Sequence, residues 1–520
     1  MSSQGNTITR LGKKIFSALC SPGRQYSIKS AAPTQFITTN KLELVDITEQ
    51  EFPTSYAVKK SLGSRFFDSI TKHAGSKVIF LITLIILVAW AIVGIVLGAP
   101  PNWQIAMQDG SSIQCYISDS LLMRQQQNHC NDLLTIIAQL RSRNSTLKRL
   151  LRNTRIDKNS TVLHINNLQM HEDNVGDAAK LPVENWFDIC CNWVSNAVGS
   201  IYALIIYWMG IFVWIGTGYL LQWSNMWQLY INTGTAVELT FTCMFLQHTR
   251  RHHMEYLEKC LASVKKADCE LETLLRQYTG DNEPNPIIEI EPLKVTRAVR
   301  SIDYYADVVG TGVGAAICVS VFVIWIAIGN IMQWDSNWWL IIGTYTGLIG
   351  FIDGFVLRNV YFRQDKIMDE QFNLLIDADS DIFQYLNLQL PTKPLSGKKS
   401  FICLVSYYMG VICSMPEAVL ASFIIVLALL CIASGMHWNE TGQLLCNTPT
   451  MIIEGFLLIV LIQAHNISNT KRRVQLHDIL IRRLTLLQCV KQIVGNGESK
   501  GFNEKEIPVL ERKIKNLSKC

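Results

Sequence analysis

Residues 227–235 read Trp227, Gln228, Leu229, Tyr230, Ile231, Asn232, Thr233, Gly234, Thr235, and they open a second apolar run directly after a first one has ended. The junction recurs. Residues 103–111 read Trp103, Gln104, Ile105, Ala106, Met107, Gln108, Asp109, Gly110, Ser111, and residues 443–450 read Gln443, Leu444, Leu445, Cys446, Asn447, Thr448, Pro449, Thr450. A more diverged copy runs Trp338, Trp339, Leu340, Ile341, Ile342, Gly343, Thr344, Tyr345, Thr346. A unit met four times sets the architecture of a chain, because each copy must fold in the same way. Here the unit is an apolar span, a short turn, a second span that opens with polar residues, and a basic or amphipathic connector.

The first spans are 78–98, 199–221, 308–331 and 416–436, and the second are about 104–123, 227–247, 338–358 and 443–463. About 20 residues at 1.5 Å each cross the roughly 30 Å hydrocarbon layer. The expected fold class is therefore all-α integral membrane: four repeated helical hairpins, with seven clearly hydrophobic spans and one polar, protein-buried segment. That segment is 104–123, which carries Gln104, Gln108, Asp109, Gln114 and Asp119. Charge decides its treatment. The turns 99–103, 222–226, 332–337 and 437–442 hold no Lys or Arg, whereas the N-terminal arm and the segments 124–187, 248–307, 359–400 and 464–520 are rich in both. The positive-inside rule then places both termini and every long connector in the cytoplasm. The polar segment must cross or re-enter, surrounded by protein or a water-filled cavity.

Divisions follow from this pattern. An N-terminal arm covers 1–77, the first hairpin and its amphipathic extension 78–150, and a linker 151–187. The second unit takes 188–280, a linker 281–307, the third unit 308–390, the fourth 391–490 and a cytoplasmic tail 491–520. Residues 1–77 contain no short apolar core after a basic start, so the first span is expected to direct insertion itself.

Composition excludes several classes. Of the 520 residues 49% are apolar and only 17% charged, against about 25% charged in ordinary soluble proteins, and mean hydropathy is +0.19. The net charge of +5 is spread over the ends of apolar runs, which is no footprint for nucleic acid. Fifteen cysteines lack regular spacing, and Cys243, Cys318 and Cys431 lie inside apolar runs, so buried thiols are expected rather than a disulfide scaffold. Gly310, Gly312 and Gly314 mimic a phosphate loop but enter an apolar span. With no Ser/His/Asp set, P-loop or HExxH motif in view, neither an enzyme nor a cofactor is expected.

Three carboxylates fall inside the hydrophobic second spans: Glu238, Asp353 and Glu454. Each costs about 2.5–3.5 kcal/mol near the bilayer centre, so such groups line a cavity or face a partner. Two readings stay open, a cation path and protonated carboxyls bonded to neighbouring helices. At about 100° per residue Asn232, Thr235, Glu238 and Thr242 share one face, as do Asn447, Thr450 and Glu454. Glu454 takes the place of Glu238 after a one-residue shift, and Gln114 matches it without a gap. Candidate metal-contacting residues are thus Glu238, Glu454, Asp353, Asn232, Thr235, Asn447 and Thr450, with Gln114, Asp109, Gln228, Gln443, Gln247 and Gln463 as further pathway-lining positions. Gly343, Gly347, Gly350 and Gly354 share a face and read as a close helix contact. Pro449 reads as a first-turn proline behind a capping Thr448.

No histidine falls in the middle of an apolar span, and a path of carboxylate, amide and hydroxyl oxygens binds divalent ions weakly. The cluster His248, Arg250, Arg251, His252, His253 reads as a basic flank meeting anionic lipid, with metal release as the other reading. Cys190 and Cys191 lack the spacing of a metal site.

The motif W-Q-L-x-I-N-T-x-T at Trp227–Thr235, followed by a span ending in Gln247, His248, Thr249, Arg250, resembles the fungal low-affinity iron permease family. Pro100, Pro101, Asn102, Trp103 and the Gln-rich segment behind them resemble it too. The likeness covers roughly residues 66–490, is strongest in the first two units, and departs at Gly343, where Asn232 stands in the second. It implies low-affinity transport of ferrous iron, and less selectively copper, zinc, manganese and cobalt, across the plasma membrane, with lipid around it and a homo-oligomer left open. A non-conducting receptor or scaffold and a passive ion channel are the alternatives.

Overall fold

The computed structural model describes residues 27–36, 62–153, 185–388, 390 and 408–498. A short strand β1 (Ile28–Ser30) is followed by α1 (Leu62–Ala74), α2 (Lys77–Leu97) and α3 (Pro101–Asn153). Next come α4 (Trp186–Val198), α5 (Ile201–Thr217), α6 (Asn225–Thr279) and the strand β2 (Ile288–Ile290). The chain continues through α7 (Arg297–Val309), α8 (Gly312–Gly329), α9 (Ser336–Tyr385), α10 (Pro416–Gly435) and α11 (Glu440–Glu498). An apolar outer helix thus precedes each of the four long helices α3, α6, α9 and α11.

The turns between them share one backbone solution. Two successive residues are left-handed in each: Gly98 and Ala99, Gln222 and Trp223, Gln333 and Trp334, His437 and Trp438. A non-glycine residue there costs about 1–2 kcal/mol, which packing must offset. In two turns the tryptophan rests on a glycine of the outer helix, for a Cβ at Gly218 would lie 2.5 Å from the Trp223 ring and one at Gly329 2.6 Å from that of Trp334. Behind the turn a second pair closes the hairpin. Trp90 stacks on Trp103, Trp214 on Trp227 and Trp325 on Trp338 with ring centroids 3.8, 3.9 and 4.3 Å apart. Within each pair both indole N–H groups donate to the partner residue's backbone carbonyl. The last hairpin has no such pair, and the Cys446 thiol donates to the Leu429 carbonyl instead.

The long helices form a square in which α3 and α11 each pack between α6 and α9. Large apolar side chains on α2, α5, α8 and α10, such as Ile85, Phe212, Val323 and Leu427, stay exposed on its outside, as lipid contact requires. Each long helix has 50 to 59 residues, so at 1.5 Å per residue it runs about 75–90 Å, more than twice the hydrocarbon thickness. The surplus continues as a bundle beyond the membrane end. Its core is apolar, with Ile137, Val264, Phe372 and Ile479 fully buried, and is locked by buried charge: Arg483 bonds Asp268 at 2.8 Å and Asp379 at 2.7 Å. Glu272 likewise joins Arg143 and Arg276.

Several expectations need correction. The all-α class holds apart from one three-residue pair, in which β1 and β2 run antiparallel with Ile28 opposite Ile290, and Ala32 N–H pins this edge to Ser142 Oγ of α3 at 3.2 Å. Among the described residues five helices are long and apolar enough to cross a membrane, or six if α4 and α5, meeting at 53°, are one broken span. Residues 227–247, counted among seven hydrophobic spans, fall short because Asn232, Glu238 and the threonines dilute them. Pro449 lies inside α11 and opens no helix, so Thr448 caps nothing. Asn144, in a glycosylation motif, is buried with its amide on Asp379 Oδ1, while Asn159 and most of 1–77, 151–187 and 491–520 lie outside the described residues.

Candidate functional site

The four long helices turn their polar faces toward one another. Just below the turns, Gln108 and Asp109 of α3, Asn232 of α6 and Asn447 of α11 are almost wholly buried. Their eight side-chain nitrogen and oxygen atoms have no hydrogen-bond partner among the described residues. The helix α9 makes the room for them. A Cβ at Gly343 would stand 2.8 Å from Asp109 Oδ1, 3.6 Å from Gln108 Nε2 and 3.7 Å from Asn447 Nδ2, and one at Gly347 would strike Asn447 Oδ1. The glycine stripe therefore faces polar side chains rather than a neighbouring backbone, which corrects the close-contact reading for Gly343, Gly347 and Gly350. Gly354 meets Leu457.

One turn further along, Thr235 and Thr450 are buried and donate back to carbonyls of their own helices, Thr235 to Ile231 and Asn232, Thr450 to Cys446 and Asn447. Their lone pairs remain available. Next come the carboxylates, and they separate. Glu454 points at α9, where a Cβ on Gly350 would lie 2.8–2.9 Å from its carboxyl atoms. Glu238 points between α5 and α11, against Gly455 and Tyr207. Thr242 Oγ1 donates to Glu238 Oε1 at 2.8 Å, while Oε2 lacks a partner. Equal spacing in sequence thus did not give equal surroundings. Asp353 is fully buried, with one oxygen accepting from Tyr305 at 2.7 Å and the other unpartnered. Asp119 of α3 stands within electrostatic reach of both Glu454 and Asp353, and belongs with them although no candidate set from sequence included it. Its signal was present: a second carboxylate in a segment that must be buried.

The glutamines divide as well. Gln228 and Gln443 stay near the turns with their Oε1 atoms unpartnered, and Gln443 Nε2 donates to the Trp438 carbonyl at 3.0 Å. Gln114 and Gln247 line a groove against α1 and α2 instead, Gln247 bonding Ser118. Gln463 abuts Gly199 through its backbone.

Beyond the spans, the basic cluster splits between two environments. His248 and His252 approach Asp188 at 3.6 and 3.8 Å in a cavity of about 340 Å³ beside Lys77. Arg250 and His253 turn inward and are buried, so only part of the cluster can flank lipid. Cys190 is exposed and Cys191 buried. Among the described residues no three His, Cys, Asp or Glu side chains stand together to hold a metal ion. What lies between the long helices is a set of carboxylate, amide and hydroxyl groups, whose oxygens are hard donors.

The profile of the low affinity iron permease family matches residues 187–271, 300–387 and 404–516. Each stretch contains one outer helix and much of the long helix after it. These matches fall in the second to fourth units, and not chiefly in the first two. The chain is 50% identical over 511 residues, 94% of its length and 87% of the relative's, to the low-affinity iron/zinc ion transport protein fet4 of Schizosaccharomyces pombe. It is 42% identical over 466 residues, 84% of each chain, to the low-affinity Fe(2+) transport protein of Saccharomyces cerevisiae. No solved structure matches. With its apolar outer helices, its polar axis and these likenesses along nearly its whole length, this integral membrane chain belongs to the low-affinity iron permease family.

Proposed function

We propose that the protein carries ferrous iron, and with less discrimination zinc and other divalent transition metals, across the plasma membrane through the axis between α3, α6, α9 and α11. The observation that carries this reading is the cluster of Gln108, Asp109, Asn232 and Asn447. A buried polar atom without a partner costs about 1–3 kcal/mol, and eight gathered at one level make sense as a place where a passing ion and its water supply the partners. Asp119, Glu454 and Asp353 follow with the charge that offsets a divalent cation. Glu238 stands beside this line and acts on it through Glu454. The names of both relatives agree with iron as cargo, and one of them with zinc.

The same reading takes the chain as four tandem hairpins with eight crossings and both termini in the cytoplasm. The β1–β2 pair supports it, since strands on either side of the first two units lie on one side of the membrane only if an even number of segments cross between them. Segment 104–123 is then a true crossing, shielded from lipid by its neighbours.

Uptake of radioactive ferrous iron into cells lacking other iron importers tests the function. Zinc, manganese, cobalt and copper(II) should compete at micromolar to millimolar levels, and Glu454→Gln should remove most uptake at normal surface abundance. Uptake indifferent to excess zinc, or a fully active Glu454→Gln, would overturn the oxygen-lined path.

A further inference from the structure

At the cytoplasmic end of the spans each long helix sends one side chain into a single layer. These are Gln126 of α3, Arg250 of α6, Tyr361 of α9 and His465 of α11, all buried. The Arg250 guanidinium donates to Gln126 Oε1 and, at 3.5 Å, to the Leu122 carbonyl. Opposite, the Tyr361 and His465 rings meet edge-on with centroids 4.2 Å apart. Arg250 lies within electrostatic reach of both. No carboxylate among the described residues pairs with it.

An unpaired guanidinium is out of place on the way out for a divalent cation. Burial brings Arg250 down to about 10, so it stays charged at neutral pH. Burial, with Arg250 and Arg472 adding to it, brings His129 in the next turn down to about 3, and His253 and His465 are pushed down for the same first reason. The imidazoles are therefore neutral, so Arg250 is the charged member of the four, and the buried Arg358 of α9, within electrostatic reach of Tyr361 and His465, adds to the positive field there. Glu454 lies 11 positions before His465 on α11, or about 16 Å along the axis. A cation held among the carboxylates thus meets a layer of buried, positively charged side chains that repels it.

We propose that Arg250 is the residue that controls metal release, its guanidinium closing the cytoplasmic end of the path until it swings off Gln126. This rests on the axial path argued above. Gln126 is its positioning residue in the closed state. Tyr361 and His465 form the opposite wall.

Reconstituted vesicles and cells expressing the full chain provide the test, with zinc and ferrous iron as probes. Arg250→Gln should raise the maximal rate, and the leak of preloaded zinc from vesicles, by at least about threefold, because a like charge has gone from a confined path. The Arg250→Lys variant should bring both at least halfway back. Should Arg250→Gln fail to reach the surface, Gln126→Ala, which removes the closed-state acceptor, should raise the leak in the same direction. An Arg250→Gln protein present at normal abundance with an unchanged or reduced rate would overturn the gate, as would Arg250→Lys behaving like Arg250→Gln. Glu454→Gln measured alongside separates the two ideas. Its loss of uptake with an inert Arg250→Gln leaves the path and removes the gate, whereas normal uptake removes both.

Discussion

At the scale of the residue, the glycines of α9 explain how four helices can keep polar side chains between them. Where α6 and α11 present Asn232 and Asn447, α9 presents Gly343, and the space so left is taken by Asp109 and Gln108 of α3. The comparison of Gly350 with Gly354 makes this testable. A methyl at Gly350 would come within 2.8–2.9 Å of the Glu454 carboxyl, while one at Gly354 would meet only Leu457 Cδ1, at 3.0 Å, the end of a flexible side chain. Gly350→Ala should therefore displace Glu454 and lower uptake about tenfold, equivalent to about 1.4 kcal/mol on the limiting step, with normal surface labelling. Gly354→Ala should leave uptake within about twofold by the same conversion. Equal losses in the two would mean that α9 serves helix packing alone. The polar positions themselves were legible in the sequence from their 100° spacing. The destinations of Glu238 and Glu454 were not, because periodicity gives a face of a helix and not the neighbour that face meets.

Among the elements, the hairpins show which part of a turn is written locally. The tryptophan at the head of three of the second spans, Trp103, Trp227 and Trp338, could be read directly, as could the absence of Lys and Arg beside it. Its partner could not. Trp90, Trp214 and Trp325 each lie 13 residues earlier inside apolar runs, where an indole looks like any other lipid-facing side chain. The reciprocal N–H to carbonyl bonds tie outer helix to long helix directly. Trp227→Ala should cost about 3–5 kcal/mol, the usual loss for a large buried aromatic. Trp227→Phe keeps the stacking and drops one hydrogen bond, a loss of about 1 kcal/mol. Thermal unfolding of the purified protein in detergent should rank the parent chain above Trp227→Phe and that above Trp227→Ala. Identical midpoints would show that the hairpin is held by its neighbours and not by its own clasp.

For the whole molecule the decisive contact is the least conspicuous one, the three-residue pairing of β1 with β2. The charge of the connectors argued that residues on either side of the first two units share the cytoplasm, and hydropathy alone argued otherwise, since segment 104–123 is too polar to be counted. The structure adds a physical link. Ile28 lies opposite Ile290, Asn285 Nδ2 donates to the Ala32 carbonyl, and Gln35 N–H donates to Glu272 Oε1 of the extended bundle. A chain crossing three times between those strands could not make these bonds. Glycan at Asn144 is a poor probe of this point, because that amide is buried against Asp379 and a sugar there would disturb the bundle it reports on. Single cysteines at exposed sites serve better. Asn439→Cys in the last turn should react with a membrane-impermeant maleimide on intact cells above the level of the parent chain. Pro284→Cys, five residues before the centre of β2, should react only after permeabilisation. An additional Ser2→Cys should behave like Pro284→Cys, since eight crossings put the arm and the linker in one compartment. Labelling of Pro284→Cys but not of Ser2→Cys on intact cells would leave an odd number of crossings between them, and would remove segment 104–123 from the wall of the path.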